Sequence, residues 1–109
     1  MTLQTPVLAS AAAQADWAHA PGYYLILVDQ PGPTTWPIVG STFVLVYKQQ
    51  ANAANGAQVL KFFDWAYKNG DAMAASLQYV TLPPVVKDQI RKSWVENVKG
   101  ANGKPVYTP

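Results

Sequence analysis

Val59-Leu60-Lys61-Phe62-Phe63-Asp64-Trp65-Ala66-Tyr67-Lys68-Asn69-Gly70 is the most strongly patterned stretch of this chain. Val59, Leu60, Phe63, Ala66 and Tyr67 recur at steps of three and four, the spacing of one helix face, and Phe62 and Trp65 widen it. A helix is predicted over 57–69, with Gly70 as the left-handed residue that closes many helices. Asp71 is then placed as the cap of a short helix through Gln78, and Tyr79-Val80-Thr81-Leu82 as an extended linker. Pro83-Pro84 opens a last helix, in which Val86, Ile90, Trp94 and Val98 form a row of four-residue steps. Asp88–Lys92 and Lys92–Glu96 are expected as ion pairs on its wet side. Gly100 ends it, and 101–109 reads as a polar tail.

Upstream the pattern changes. Tyr23-Tyr24-Leu25-Ile26-Leu27-Val28 is aromatic and aliphatic on both faces and reads as a buried strand. Asp29-Gln30-Pro31-Gly32-Pro33 ends it as a turn. Ile38-Val39 and then 42–47, Thr-Phe-Val-Leu-Val-Tyr, form a second such run, broken by Gly40-Ser41. The two runs are expected to pair only across a loop that is long for a hairpin. Thr5-Pro6 reads as the cap and first turn of an alanine-rich helix through Trp17, and 48–56 as a polar loop. The order is helix, strand, strand, helix, short helix, helix, which places the chain in the α/β class without an internal repeat.

The chain has 109 residues, the length of one modest domain. Half the residues are hydrophobic and 13% are charged, which argues against a disordered chain. The net charge is +2, and the eight Lys and Arg are spread along the second half, so no nucleic-acid partner is expected. The absence of cysteine excludes disulfides and thiol chemistry. Uncharged stretches are interrupted by Gly, Pro, Gln and Asn, so no membrane-spanning helix is expected. Met1-Thr2-Leu3-Gln4 has neither a basic region nor an apolar core, so it does not read as a signal peptide. Asp16 and Asp29 are the only charges in the first 47 residues. A charge-poor half points to surface that something else covers.

No constellation of catalytic or metal-binding residues stands out. His19 is the only histidine, and it reads as a surface residue after a helix. A hydrolytic reading would have to rest on His19 with Asp16. Asp64 sits among aromatics in the strongest helix, and it is a candidate for a buried pairing role. Gly40, Ser41 and Thr42 are weak candidates for an anion site, since they lead into a strand and phosphate loops lead into helix N-termini. Phe62, Phe63, Trp65, Tyr67 and Trp94 follow helical spacing and read as core. No cofactor is expected.

Several segments resemble the periplasmic phosphate-binding protein of high-affinity phosphate ABC importers. They are Trp36-Pro37-Ile38, Ser41 to Lys48, the Val59 to Gly70 stretch, Leu77 to Pro83, and the tail Gly103-Lys104-Pro105-Val106-Tyr107. The likeness runs from about Ala9 to Tyr107 and is weakest over 18–35. It implies part of a two-lobe type II periplasmic-binding-protein fold: helix, two apolar strands, then three helices. Residues 1–35 would be a remnant of one lobe, 36–48 a crossover strand, and 49–109 the helical part of the other lobe. In this family two α/β lobes bind inorganic phosphate in the cleft between them and deliver it to an ABC permease from the periplasm. The resemblance places the family's phosphate ligands upstream of this segment and carries none onto it. It therefore implies a truncated solute-binding protein of phosphate import, without enzyme activity. The alternative is a self-associating module, a homo-oligomer with Tyr24, Leu25, Leu27, Phe43 and Leu45 as interface candidates.

Overall fold

The structure is a computed structural model that describes the backbone from Thr5 to Pro109 and side chains from Ser10 onward. The expected Thr5 cap lies outside the described side chains. The chain divides into two compact units, Met1–Val44 with Val80–Val86, and Leu45–Tyr79 with Lys87–Pro109.

In the first unit, α1 (Thr5–Gln14) ends three residues before the expected Trp17. Trp17 instead folds back, and its Nε1–H donates to the Ala12 carbonyl at 2.7 Å. Ala11, Ala12, Ala15 and Trp17 are buried. A 3-10 turn follows at Pro21–Tyr23, where Gly22 and Tyr23 take φ of 62° and 60°. The expected strand therefore starts inside a turn. From Tyr24 to Val28 exposure alternates: Leu25 and Leu27 point inward, while Tyr24, Ile26 and Val28 are exposed. That is the period of extended chain with one covered face. The Asp29 N–H donates to the Pro37 carbonyl at 3.0 Å and closes the proline loop, and the Tyr24 and Phe43 rings meet at 5.2 Å. No ladder joins the two runs among the described residues. The strand expectation for 23–28 and 42–47 is thus corrected. Strands apolar on both faces are stabilised by layers on both sides, and here the described residues supply one.

The strand content is a two-residue parallel pair in the second unit, β1 (Gln49–Gln50) beside β2 (Lys99–Gly100), in register Gln49↔Lys99 and Gln50↔Gly100. The fold is therefore mixed helix and strand. α2 (Ala53–Asn69) starts four residues earlier than the periodicity indicates. Asn52 explains the difference, because its side chain accepts the Asn55 N–H at 3.1 Å and caps the helix. Gly70 has φ −86°, so the left-handed expectation fails. Glycine is needed there for another reason: its N–H donates to the Ala66 carbonyl at 2.7 Å, and a Cβ would lie 2.6 Å from that oxygen. α3 (Asp71–Ser76) and α4 (Pro84–Asn97) follow. Asp71 makes no capping hydrogen bond; its carboxylate pairs with Lys87.

The core of this unit is Leu60, Val98 and Tyr107, with Val46, Trp94, Val95 and Val106 packed against it. Leu60 is fully buried and Phe63 and Tyr67 half-buried, whereas Val59, Phe62 and Trp65 are exposed. The inward stripe of α2 is narrower than expected, and only Val46 of the 42–47 run reaches this core. The tail is not a free polar segment. Gly103, at φ 72°, turns it back, and the Val106 N–H donates to the Val98 carbonyl at 3.2 Å. Among the described residues no helix is long and apolar enough to cross a membrane.

Leu60→Ala is expected to lower unfolding free energy by about 2–5 kcal/mol, the cost of a buried leucine cavity. Val59→Ser, one residue away on the exposed side, is expected to stay within about 0.5 kcal/mol. Urea denaturation followed by tryptophan fluorescence separates the two; equal losses would show that the inward stripe is misplaced.

Candidate functional site

The densest grouping of charged and aromatic side chains joins α2 to α4 within the second unit. Asp64 is buried on the inward face of α2, one turn after Leu60. Its Oδ1 accepts from Arg91 Nε at 2.6 Å, and its Oδ2 accepts from Lys68 Nζ at 2.6 Å. Arg91 also donates through Nη1 to Asp88 at 2.8 Å. Asp88 thus pairs with Arg91 rather than with the expected Lys92, while Lys92 and Glu96 stand 3.9 Å apart as expected. Lys87, only 5% exposed, donates to both oxygens of Asp71 at 2.6 and 2.7 Å and to the Tyr67 carbonyl at 3.0 Å.

Aromatic rings form the wall behind these charges. Trp94 stacks on Tyr67 at 5.8 Å and meets Tyr107 edge-on at 5.3 Å, and the Arg91 guanidinium lies 5.9 Å from the Tyr67 ring centre. The Tyr107 hydroxyl is buried close to Asp64, without a hydrogen bond of regular geometry. Burial, and then the negative charge of Asp64, push its phenol upward. Burial also raises the Tyr67 phenol. Burial works to raise the Asp64 carboxyl too, but hydrogen bonds from Lys68 and Arg91 and their positive charges outweigh it, so Asp64 titrates below its ordinary value.

In this grouping Arg91, Lys68 and Lys87 already satisfy carboxylates, which leaves their charge balanced within the chain. An open groove of about 360 Å³ beside α4 is lined by Asp88, Arg91, Lys92, Val95, Glu96 and Pro109, again with both signs present. These contacts pin α4 to α2.

Gly40 and Thr42 are exposed and Ser41 half-buried, in a segment that leads into no helix. Asp16 and His19 do meet, at 2.8 Å, but as an exposed pair one turn apart. The hydrogen bond to His19 lowers the Asp16 carboxyl. Of the interface candidates, Tyr24, Phe43 and Leu45 are exposed, Leu25 is half-buried, and Leu27 is 3% exposed, covered within its own chain. Asp64 takes the pairing position considered for it. Sequence reasoning missed Arg91 as the partner of Asp64 and Lys87 as the partner of Asp71, since both come from another helix.

No family model matches the chain. It is 38% identical over 98 residues to the phosphate-binding protein PstS of Pasteurella multocida, covering 90% of this chain and 28% of that protein. To the phosphate-binding protein PstS of Xylella fastidiosa strain 9a5c it is 38% identical over 91 residues, 84% of this chain and 25% of the relative. To that of Haemophilus influenzae it is 36% identical over 90 residues, 83% of this chain and 27% of the relative. The resemblance to phosphate-binding proteins is thus shown along most of the chain, which spans about a quarter of the length of these relatives.

Asp64→Asn is expected to cost on the order of 1–3 kcal/mol, since it removes the negative charge and sets an amide NH2 against one of two charged donors. Because folding depresses the Asp64 carboxyl, its contribution is complete above the ordinary value of 3.8 and is lost as pH falls below it. The acid limb of the stability curve should therefore flatten in Asp64→Asn. The raised phenols act in the opposite sense, stabilising below 10.0 and losing that contribution as pH rises beyond it. Tyr107→Phe, which removes a hydroxyl without a hydrogen bond of regular geometry, is expected to be within about 0.5 kcal/mol of neutral at pH 7 and to soften the alkaline limb. Denaturation midpoints measured from acid to alkaline pH check all three; a loss of several kcal/mol in Tyr107→Phe at neutral pH would mean that the hydroxyl has a partner.

Proposed function

We propose that this chain is a partial relative of the solute-binding protein of phosphate import, and that by itself it holds no phosphate site. The observation that carries the reading is the 38% identity over 98 residues to a phosphate-binding protein of which the chain covers 28%. In that ancestry the ligand is inorganic phosphate, the partner is an ABC permease, and the compartment is the periplasm. The chain is not an enzyme and uses no cofactor.

Two observations favour the loss of the site. Lys68, Lys87 and Arg91 are engaged by Asp64, Asp71 and Asp88. The weak anion candidates Gly40, Ser41 and Thr42 sit in a loop whose backbone heads no helix. In this reading residues 1–35 are the remnant of one lobe, 36–48 the crossover and 49–109 the helical part of the other. The division of the chain at Val44 and Leu45 supports a crossover there, while Val80–Val86 groups with the first unit rather than with the rest of 49–109.

A second reading concerns what the chain does alone: it self-associates as a homo-oligomer. The exposure of Tyr24, Phe43 and Leu45 favours it, as apolar surface of this kind is what partners cover.

Isothermal titration of the 109-residue chain with inorganic phosphate, with sulfate as control, tests the first reading. No saturable heat is expected from either anion. Phosphate binding at micromolar or tighter Kd would overturn the claim that the site is missing.

A further inference from the structure

Three Asn-Gly pairs stand in the second unit: Asn55-Gly56, Asn69-Gly70 and Asn102-Gly103. All three asparagines are exposed, so access to water does not distinguish them. Asparagine before glycine is the pair most prone to lose its side-chain amide, because no Cβ on the second residue hinders attack by its main-chain nitrogen. Closing the five-membered imide takes the asparagine backbone outside the helical range. Two of the pairs are held against that change by α2. The Gly56 N–H donates to the Asn52 carbonyl at 3.0 Å, and the Asn55 N–H to the Asn52 side chain at 3.1 Å. The Gly70 N–H donates to the Ala66 carbonyl at 2.7 Å, and Asn69 Nδ2 to the Trp65 carbonyl at 2.9 Å. Either pair reacts only after a turn of α2 unwinds. Asn102 lies in a loop instead. The Gly103 N–H is held by one turn bond, to the Gly100 carbonyl at 2.9 Å, and Gly103 takes φ 72°. Nothing lies within 4 Å of where a Gly103 Cβ would stand, so the loop is open around the attacking residue.

We infer that Asn102 is a deamidation site, and that its conversion loosens the turn that returns Tyr107 to the core. In the step, the Gly103 nitrogen gives its proton to a solvent base and adds to Asn102 Cγ. The new C–N bond places negative charge on Oδ1, which already accepts the Lys104 N–H at 3.0 Å. The Cγ–Nδ2 bond then breaks, and the amide leaves as ammonia after taking up a proton. Water opens the imide at either carbonyl and gives aspartate or isoaspartate, with no oxidant or reductant involved. The net charge falls by one in both cases. Aspartate keeps an oxygen for the Lys104 N–H. Isoaspartate adds a methylene to the main chain of the Gly100–Gly103 turn, where the Gly100 N–H also donates to the Lys104 carbonyl at 2.9 Å. Through that turn the Val106 N–H reaches the Val98 carbonyl, and Tyr107 joins Leu60 and Val98.

Incubation of the 109-residue chain at mildly alkaline pH, natively and in concentrated urea, followed by tryptic mass spectrometry, is the first arm. Cleavage at Lys and Arg puts the three pairs in separate peptides. In the native chain Asn102 is expected to convert about tenfold or more faster than Asn55 or Asn69. In urea the three rates are expected to draw level, since each is then an Asn-Gly pair in open chain. Labelling by isoaspartyl methyltransferase is expected in the 100–109 peptide, because direct hydrolysis of the amide yields aspartate alone. The second arm is thermal melting. The isoaspartyl form, separated by ion exchange, is expected to melt below the parent chain. The Asn102→Asp variant, which carries the same charge without the extra methylene, is expected to melt close to the parent. Equal native rates at the three pairs, or aspartate without isoaspartate, overturn the site. An isoaspartyl form that melts with Asn102→Asp overturns the loosening of the turn.

Discussion

The hydrogen bond between Arg91 and the buried carboxylate of Asp64 is the constraint on which the second unit depends. A carboxylate on the inward face of α2 is costly to remove from water, and it stays ionised there because two cations reach it. One of those cations is a turn away on the same helix; the other comes from α4. The position of α4 is thereby fixed, and with it Trp94, which lies between Tyr67 and Tyr107. Tyr107 in turn anchors a tail that would otherwise be polar and free. Lys87 repeats the arrangement one turn earlier on α4, reaching Asp71 and the Tyr67 carbonyl. Two short ion-pair systems on one helix thus fix its rotation about its own axis as well as its contact with α2.

This arrangement bears on function. Sequence kinship connects the chain with proteins that bind phosphate, whereas Lys87 and Arg91 are committed to carboxylates and the half-buried Lys99 donates to the Val95 carbonyl. A guanidinium bridging two aspartates carries little net field outward, and an anion would have to displace those aspartates to reach it. In the proposed reading this chain is scaffold, held together by its aromatic and ion-pair network.

The uncovered surfaces follow from the same narrowness of packing. The inward stripe of α2 is Leu60, Phe63, Asp64 and Tyr67, and one polar member of it is a charge. Phe62 and Trp65 stack on each other in solvent. The runs at 24–28 and 42–47 are covered on one side at most. These residues have the composition of a chain packed between layers, and the described residues provide a single layer for each.

Sequence by itself determined that the four helices form, in order, but misplaced several of their ends by two to four residues. Periodicity from Val59 to Tyr67, Pro83-Pro84 and the i+4 row on α4 are local signals, since helix hydrogen bonds close within four residues. The Asn52 cap was equally local, but the polar composition of 48–56 concealed it. The kinship was legible because the Phe-Phe-Asp-Trp-Ala-Tyr run is long and unusual. Tertiary structure alone decided three things. Strand formation at 23–28 and 42–47 depends on partners remote in sequence, and apolar composition is blind to whether they are present. The α4 partners of Asp64 and Asp71, Arg91 and Lys87, lie 27 and 16 residues away, a distance at which charge spacing predicts nothing without a fold. The burial of Tyr107 depends on a turn at Gly103 that returns the tail to Val98, and two apolar residues in a polar segment do not specify which surface they will meet.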